Sequence, residues 1–287
     1  MTKEIADAHV HFFSPAFFRS LAEQRKVPEV NSLLGWDLPD SPEALADRWV
    51  GEMDRNGVGQ AMLIATIPGD TPSVEAAVAR HPSRFGSVSM VNPLAPNAAA
   101  SVPKGIFLFP AMHRYSLHDD RARAVIAKAR VVYVHCGVLS VGFRRKLGLP
   151  SSFDMRYSNP IDLHAIALEF PQVRFVIPHF GAGYFREALM VADLCPNVYF
   201  DTSSSNSWLR YQPGNMTLAD VFRRALDVAG PKRILFGSDS SWFPRGWVRA
   251  IRETQEKALA EIGADPETEH AVFGGNLRSL LDILRAQ

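Results

Sequence analysis

The sequence predicts an α/β protein built as a (β/α)8 TIM barrel, with a helical insertion after the first strand. Three observations predict it. Eight short apolar runs recur along the 287 residues, and crossover segments, most of them helical in pattern, separate them. Histidines and an aspartate stand at the C-terminal ends of four of those runs, the rim where barrel enzymes keep their chemistry. An open doubly wound sheet shares the local alternation. The glycine-rich fingerprint that favours a dinucleotide fold is missing after the first run.

The runs, in order, are 4–12 (EIADAHVHF), 60–66 (QAMLIAT), 86–91 (GSVSMV), 104–109 (KGIFLF), 131–136 (VVYVHC), 173–179 (VRFVIPH), 197–203 (NVYFDTS) and 233–239 (RILFGSD). Each is rich in β-branched or aromatic residues. The segment 41–57 reads as a helix, with Ser41 as N-cap, Pro42 at the first helical position and Gly57 beyond its end. Helical patterns also cover 73–81, 119–129, 159–170, 184–194, 217–230, 247–263 and 276–287. The Pro- and Ala-rich stretch 92–103 gives no clean helix. Residues 13–59 are too long for a plain βα loop, so a helix at 15–26 and a cap-like insertion over the barrel mouth are expected. The chain 1–287 reads as a single domain.

Bulk composition is that of a globular protein, 47% hydrophobic and 21% charged, with net charge +1. No basic run exceeds Arg144-Arg145-Lys146, so a nucleic-acid partner is not expected. Cys136 and Cys195 form no CxxC pair, and two cysteines make no disulfide framework. The first residues carry charges and histidines where a signal peptide needs an apolar core, and no run of eighteen apolar residues occurs. A cytoplasmic protein without a membrane span is the expectation.

The stretch DAHVHFF (7–13) breaks the pattern of a core strand. Residues two apart share a face, so Asp7, His9 and His11 are expected to point one way, and Ala8, Val10 and Phe12 the other. His135 ends the fifth run, His179 the sixth and Asp239 the eighth. Nitrogen and oxygen donors converging on one rim suit a zinc-type ion with a position left for water. Singly, an HxH pair is a surface feature, a lone histidine a satisfied core residue and Asp239 a turn cap. Five such residues at four matching strand ends argue for one site. His81, His118, His164 and His270 lie away from these ends and read as structural or solvated.

The motifs DAHVHFF, VYVHCG, IPHFGAG, YFDTSS, ILFGSDS and FGGNLRSLL, spread over nearly the whole chain, resemble the amidohydrolase superfamily. The likeness is to the branch that holds aminocarboxymuconate semialdehyde decarboxylase and small lactonases. The resemblance implies that His9, His11, His135 and Asp239 ligate one divalent ion, Zn2+ or alternatively Mn2+, with His179 as the nearby acid or base. The division of roles between His135 and His179 stays open. Binuclear members carry a lysine at the end of the fourth strand; here Lys104 stands at its start and Phe107 and Phe109 follow. A mononuclear site is therefore expected, which weighs against phosphoester clamping by two metals.

The implied function is metal-dependent hydrolysis of a lactone or amide bond in a small, carboxylate-bearing substrate, with Asp239 and His179 handling the proton of the attacking water. The alternative is non-oxidative decarboxylation of an unsaturated or aromatic carboxylate, which shares the same ligands. A purely structural metal site would be closed and cysteine-rich, which this set is not. Candidate substrate contacts come from the loops: Phe13, Trp36, Met112, His113, Arg114, Tyr115, Arg144, Arg145 and Trp242. The arginines are offered for a carboxylate, whose geometry matches their fork. Family resemblance also suggests a homo-oligomer, though no patch in the sequence marks one.

Overall fold

A computed structural model describes residues 5–139 and 141–286. Eight parallel strands run in sequential order: β1 (Ile5–Phe12), β2 (Val58–Ala65), β3 (Phe85–Val91), β4 (Gly105–Leu108), β5 (Val131–Val134), β6 (Arg174–Ile177), β7 (Val198–Asp201) and β8 (Ile234–Leu235). Each falls within or beside the run that predicts it. The β8–β1 seam closes through backbone bonds rather than a full ladder. Ala8 N donates to Phe236 O at 2.7 Å, Asp239 N to His9 O at 3.0 Å and His11 N to Ser240 O at 2.8 Å. The result is a (β/α)8 barrel.

Two apolar layers follow from the period-2 alternation. Met62, Ile64, Met90, Phe107 and Tyr133 fill the barrel interior. Leu63, Ala65, Ile106, Leu108, Phe175 and Phe200 face the helical ring. The last helix, Asn276–Arg285, shuts the lower end by adding Leu277, Leu280 and Leu281 to the interior layer. Gly86 makes room for it, since a Cβ there would lie 2.3 Å from Leu281 Cδ2. The helix Pro42–Asn56 has the cap read from sequence, with Ser41 Oγ accepting from Ala44 N at 3.1 Å and Gly57 closing it in the left-handed region.

The structure corrects the reading of β1. Four residues of β1, Asp7 to Val10, span what three residues of β2, Ala61 to Leu63, span on the other side. This bulge shifts the alternation by one. Ala6 and Ala8 lie inside, His9 and His11 also turn inward, and Val10 and Phe12 join the outer layer. Asp7 therefore sits behind the histidines, not beside them. Its buried carboxylate accepts from His9 N (2.9 Å), Ser238 N (3.0 Å), Ser238 Oγ (2.5 Å) and Trp247 Nε1 (2.7 Å). Burial pushes its pKa up to about 6 against those four donors.

Four short helices escape the sequence reading: Asn31–Leu34, Pro110–His113, Gly142–Lys146 and Pro266–His270. The helix Pro15–Arg25 and the turn Asn31–Leu34 form a separate apolar cluster above the barrel mouth, with Phe13, Phe17, Leu21, Trp36 and Leu147 buried in it. No helix among the described residues is long and apolar enough to cross a membrane.

Candidate metal centre

His9, His11, His135, His179 and Asp239 all line one cavity of about 640 Å3 at the C-terminal mouth of the barrel. Within it three atoms converge. His9 Nε2 lies 3.3 Å from His11 Nε2, His11 Nε2 lies 3.2 Å from Asp239 Oδ1, and His9 Nε2 lies 3.7 Å from the same oxygen. Donors bound to one tetrahedral ion at zinc distances stand about 3.3–3.4 Å apart. His9, His11 and Asp239 are thus spaced for a shared cation. His135 and His179 stand outside that close set.

The hydrogen-bond partners fix the tautomers. His9 Nδ1 bonds Asp201 Oδ2 at 2.5 Å, so it carries the proton and Nε2 keeps its lone pair. Thr66 Oγ1 donates to Ile64 O at 3.2 Å and accepts from His11 Nδ1 at 3.1 Å, which leaves the His11 Nε2 lone pair free. Two lone pairs and a carboxylate oxygen therefore face one another at contact distance. A cation between them, or a proton on an imidazole, relieves that repulsion, and this donor set fits a divalent ion of the zinc type.

Electrostatics separates the imidazoles. Burial depresses the pKa of His9, yet the Asp201 carboxylate, with Asp239 and Asp7, outweighs it and holds His9 above its ordinary value. Burial lowers His11, with His9 adding to the shift and Asp239 opposing it. Burial, reinforced by His179 and His9, puts His135 well below the ordinary range. Its two ring nitrogens are buried without a hydrogen-bond partner among the described residues, and its ring stacks on Phe109 at 5.0 Å. A buried imidazole with no partner is costly to leave so. Burial resists ionisation of Asp239, but His11, His9 and His179 prevail and keep it well below the usual carboxylate range.

Backbone strain marks the same places. His179 (φ 56°) and Asp239 (φ 58°) both adopt the left-handed conformation that side chains other than glycine rarely take. Each costs of order 1–3 kcal/mol, and such residues gather where a site demands a direction. Asp239 gains its orientation between its own N–H bond to His9 O and Ser238, whose Oγ is held by Asp7.

Asp201 and Ser203 are the site residues that the sequence reading passed over. Asp201 ends β7 in YFDTSS, the position the other strand ends had already made suspect. It is fully buried, bonds His9 Nδ1 and accepts from Ser203 N (2.8 Å) and Ser203 Oγ (3.0 Å). Ser203 in turn meets His179 Nδ1 through Oγ at 2.9 Å and through its carbonyl at 3.2 Å. One carboxylate thus orients both a ligand-type imidazole and, through a hydroxyl, the neighbouring one. Gln255 holds this strand end from outside, with Thr202 Oγ1 donating to Oε1 at 2.6 Å and Nε2 donating to Thr202 O at 2.9 Å. Asp201→Asn is expected to weaken Zn2+ binding about 10–100-fold, the usual cost of losing a carboxylate behind a ligating histidine. Chelator competition on the purified variant measures it; unchanged affinity would remove Asp201 from the site.

Of the loop candidates, Phe13, Trp36, Met112, His113, Arg144 and Trp242 line the cavity. Among the described residues, Arg114, Tyr115 and Arg145 are not part of that lining: Arg114 and Arg145 are exposed and Tyr115 is buried in the outer core layer. Their direction is set by the short helices at 110–113 and 142–146, which turn them away from the mouth.

Comparison with known proteins agrees with this architecture. The chain is 31% identical over 139 residues, 42% of its length, to the 2-keto-4-carboxy-3-hexenedioate hydratase of Sphingobium sp.. Its matches span only 12% and 36% of the lengths of the curated relatives. Among solved structures it resembles an amidohydrolase from Burkholderia multivorans with bound zinc (TM-score 0.61, 17% identity, 97% of this chain and 99% of that one). It also resembles a putative 2-pyrone-4,6-dicarboxylic acid hydrolase from Pseudomonas putida (TM-score 0.60, 17% identity, 99% of each chain). The amidohydrolase family model matches residues 6–283, nearly the whole chain. The protein belongs to the amidohydrolase family.

Proposed function

We propose that the protein is a metal-dependent hydrolase that opens a lactone or amide bond in a small molecule. The observation that carries this reading is the meeting of His9 Nε2, His11 Nε2 and Asp239 Oδ1 at 3.2–3.7 Å, all three electron-rich. His135, unpartnered and kept neutral by burial, is the fourth donor. When bound, a divalent ion, Zn2+ by the donor set or Mn2+ in its place, polarises a carbonyl and lowers the pKa of bound water from 15.7 to about 7.

The chain's own groups handle the proton. Asp239 meets the imidazoles through Oδ1, which leaves Oδ2 to take a proton from the attacking water and return it to the leaving oxygen or nitrogen. His179 is held at Nδ1 by Ser203, so its Nε2 lone pair accepts a hydrogen bond from that water. It becomes a donor to the carbonyl oxygen only after taking up a proton. The water oxygen adds to the carbonyl carbon, the ring C–O or C–N bond breaks, and the released atom receives the proton.

The similarity to a curated hydratase supports a second reading, addition of the same activated water across a conjugated C=C bond. Decarboxylation is the alternative on the same donors: it needs a cation to hold a carboxylate, and Arg144 in the cavity lining gives its Nε to Pro150 O at 2.9 Å while its Nη groups can take that role. Chelator-treated protein, reloaded with Zn2+ or Mn2+, is expected to regain acid release from a panel of lactones and amides. Release of CO2 instead, or hydration without acid release, would replace the hydrolase reading.

A further inference from the structure

The cavity that holds the converging donors has a composition that constrains what else can enter it. Its floor is Met90, Phe107 and Phe109 from the barrel interior. One wall is a run of parallel rings. Phe13 stacks on Trp36 at 5.4 Å and 20°, and Trp36 on Trp242 at 4.6 Å and 14°. Phe143 stands across them, 5.6 Å from Trp36 at 63° and 6.0 Å from Phe13 at 69°. Rings whose faces are already covered offer edges, and edges attract the π face or the carbonyl oxygen of a guest.

Positive charge is scarce. Among the described residues, the Lys and Arg side chains in the lining are Arg144 and Lys146, both on the short helix Gly142–Lys146. Arg144 gives its Nε to Pro150 O, and Lys146 is exposed. Arg245 comes near Asp239 but lies outside the lining: its guanidinium sits 3.5 Å over Trp242, and Nη2 donates to Asp239 O (3.3 Å) and Ser241 Oγ (3.0 Å). A divalent ion in the site is already matched in charge by the carboxylates of Asp239 and Asp201. Arg144 keeps its Nη groups for one carboxylate, but among the described residues no further buried cation lines the cavity to pair a second or third, and burying an unpaired one is prohibitive.

We infer that this site takes a largely apolar, ring-bearing lactone or amide with at most one carboxylate, and rejects polycarboxylates. The identity of the reacting bond rests on the hydrolase reading; the preference for an apolar guest rests on the cavity alone. Polar orientation comes from Thr66, Ser151, Ser152 and His113 in the same lining.

Two measurements test this on the zinc-loaded protein. In the first, tryptophan fluorescence follows binding of an inert carbocyclic analogue, a phenyl-substituted cyclopentanone, against benzene tricarboxylate. The ketone is expected to bind at least about tenfold more tightly. Phe143→Ala should weaken it about tenfold, a typical loss for an aromatic anchor, while Arg144→Ala should change it less than about twofold. Tighter binding of the tricarboxylate, or no binding of the ketone, overturns the inference. In the second, kcat/KM is compared for neutral, monocarboxylated and dicarboxylated lactones of one ring size. The neutral and monocarboxylated compounds are expected to lead by at least about tenfold; a lead for the dicarboxylate overturns the inference and leaves the hydrolase reading standing. Ketone binding with no lactone turnover does the reverse.

Discussion

Asp239→Asn is expected to give a folded protein whose turnover has dropped by about 10³-fold or more, in the upper part of the 10²–10⁴ ascribed to general acid–base catalysis. Folding should survive because asparagine tolerates the left-handed backbone at φ 58°, and the Asp239 N–H bond to His9 O is untouched. What disappears is the charge that sits 3.2 Å from His11 Nε2 and 3.7 Å from His9 Nε2. An amide also cannot accept a proton from water. Far-UV circular dichroism and thermal melts would verify the fold, and initial rates under saturating Zn2+ would give the loss. Near-normal rates in a folded variant would take Asp239 out of the chemistry.

Gly237→Ala should damage the same centre without touching any donor. A Cβ at residue 237 would lie 2.4 Å from Asp201 Oδ1, 2.8 Å from Ser203 Cβ and 3.0 Å from His9 Cβ. None of these neighbours can retreat easily, since all are buried and Asp201 is bonded to both His9 and Ser203. Overpacking of this kind costs about 1–3 kcal/mol of stability. The displaced Asp201 would also release His9 from its orientation, so Zn2+ affinity should fall by about 10–100-fold. Melting temperature and chelator competition read the two effects separately. A variant that is normal in both would show slack where the packing indicates none.

The eight strands were legible because each is a β-branched or aromatic run bounded by glycine, proline or charge. The long helices announced themselves by period and caps. The four short helices did not, because four or five residues carry no measurable period. The rim histidines and Asp239 were readable from position alone. Asp201 satisfied the same rule but looked like the polar finish of YFDTSS. The bulge in β1 was out of reach, since the groups that stabilise it, Ser238 and Trp247, lie more than 200 residues away. The arginines illustrate the remaining gap. Their place in the loops after the fourth and fifth strands put Arg114, Arg144 and Arg145 near the mouth, but only the fold of their short helices decides which guanidinium faces inward.

The donors straddle the β8–β1 seam: His9 and His11 come from the first strand, Asp239 from just past the last. That join is made between parts of the chain some 230 positions apart, the slowest kind of contact for a folding chain to find. A cation gripped there acts as a rivet across it. Its binding energy adds to the stability of the closed ring by mass action and to nothing that has yet to close. A nascent chain that has not reached its eighth strand would lack Asp239 and its bond to His9 O, so tight metal binding would report that the ring had closed.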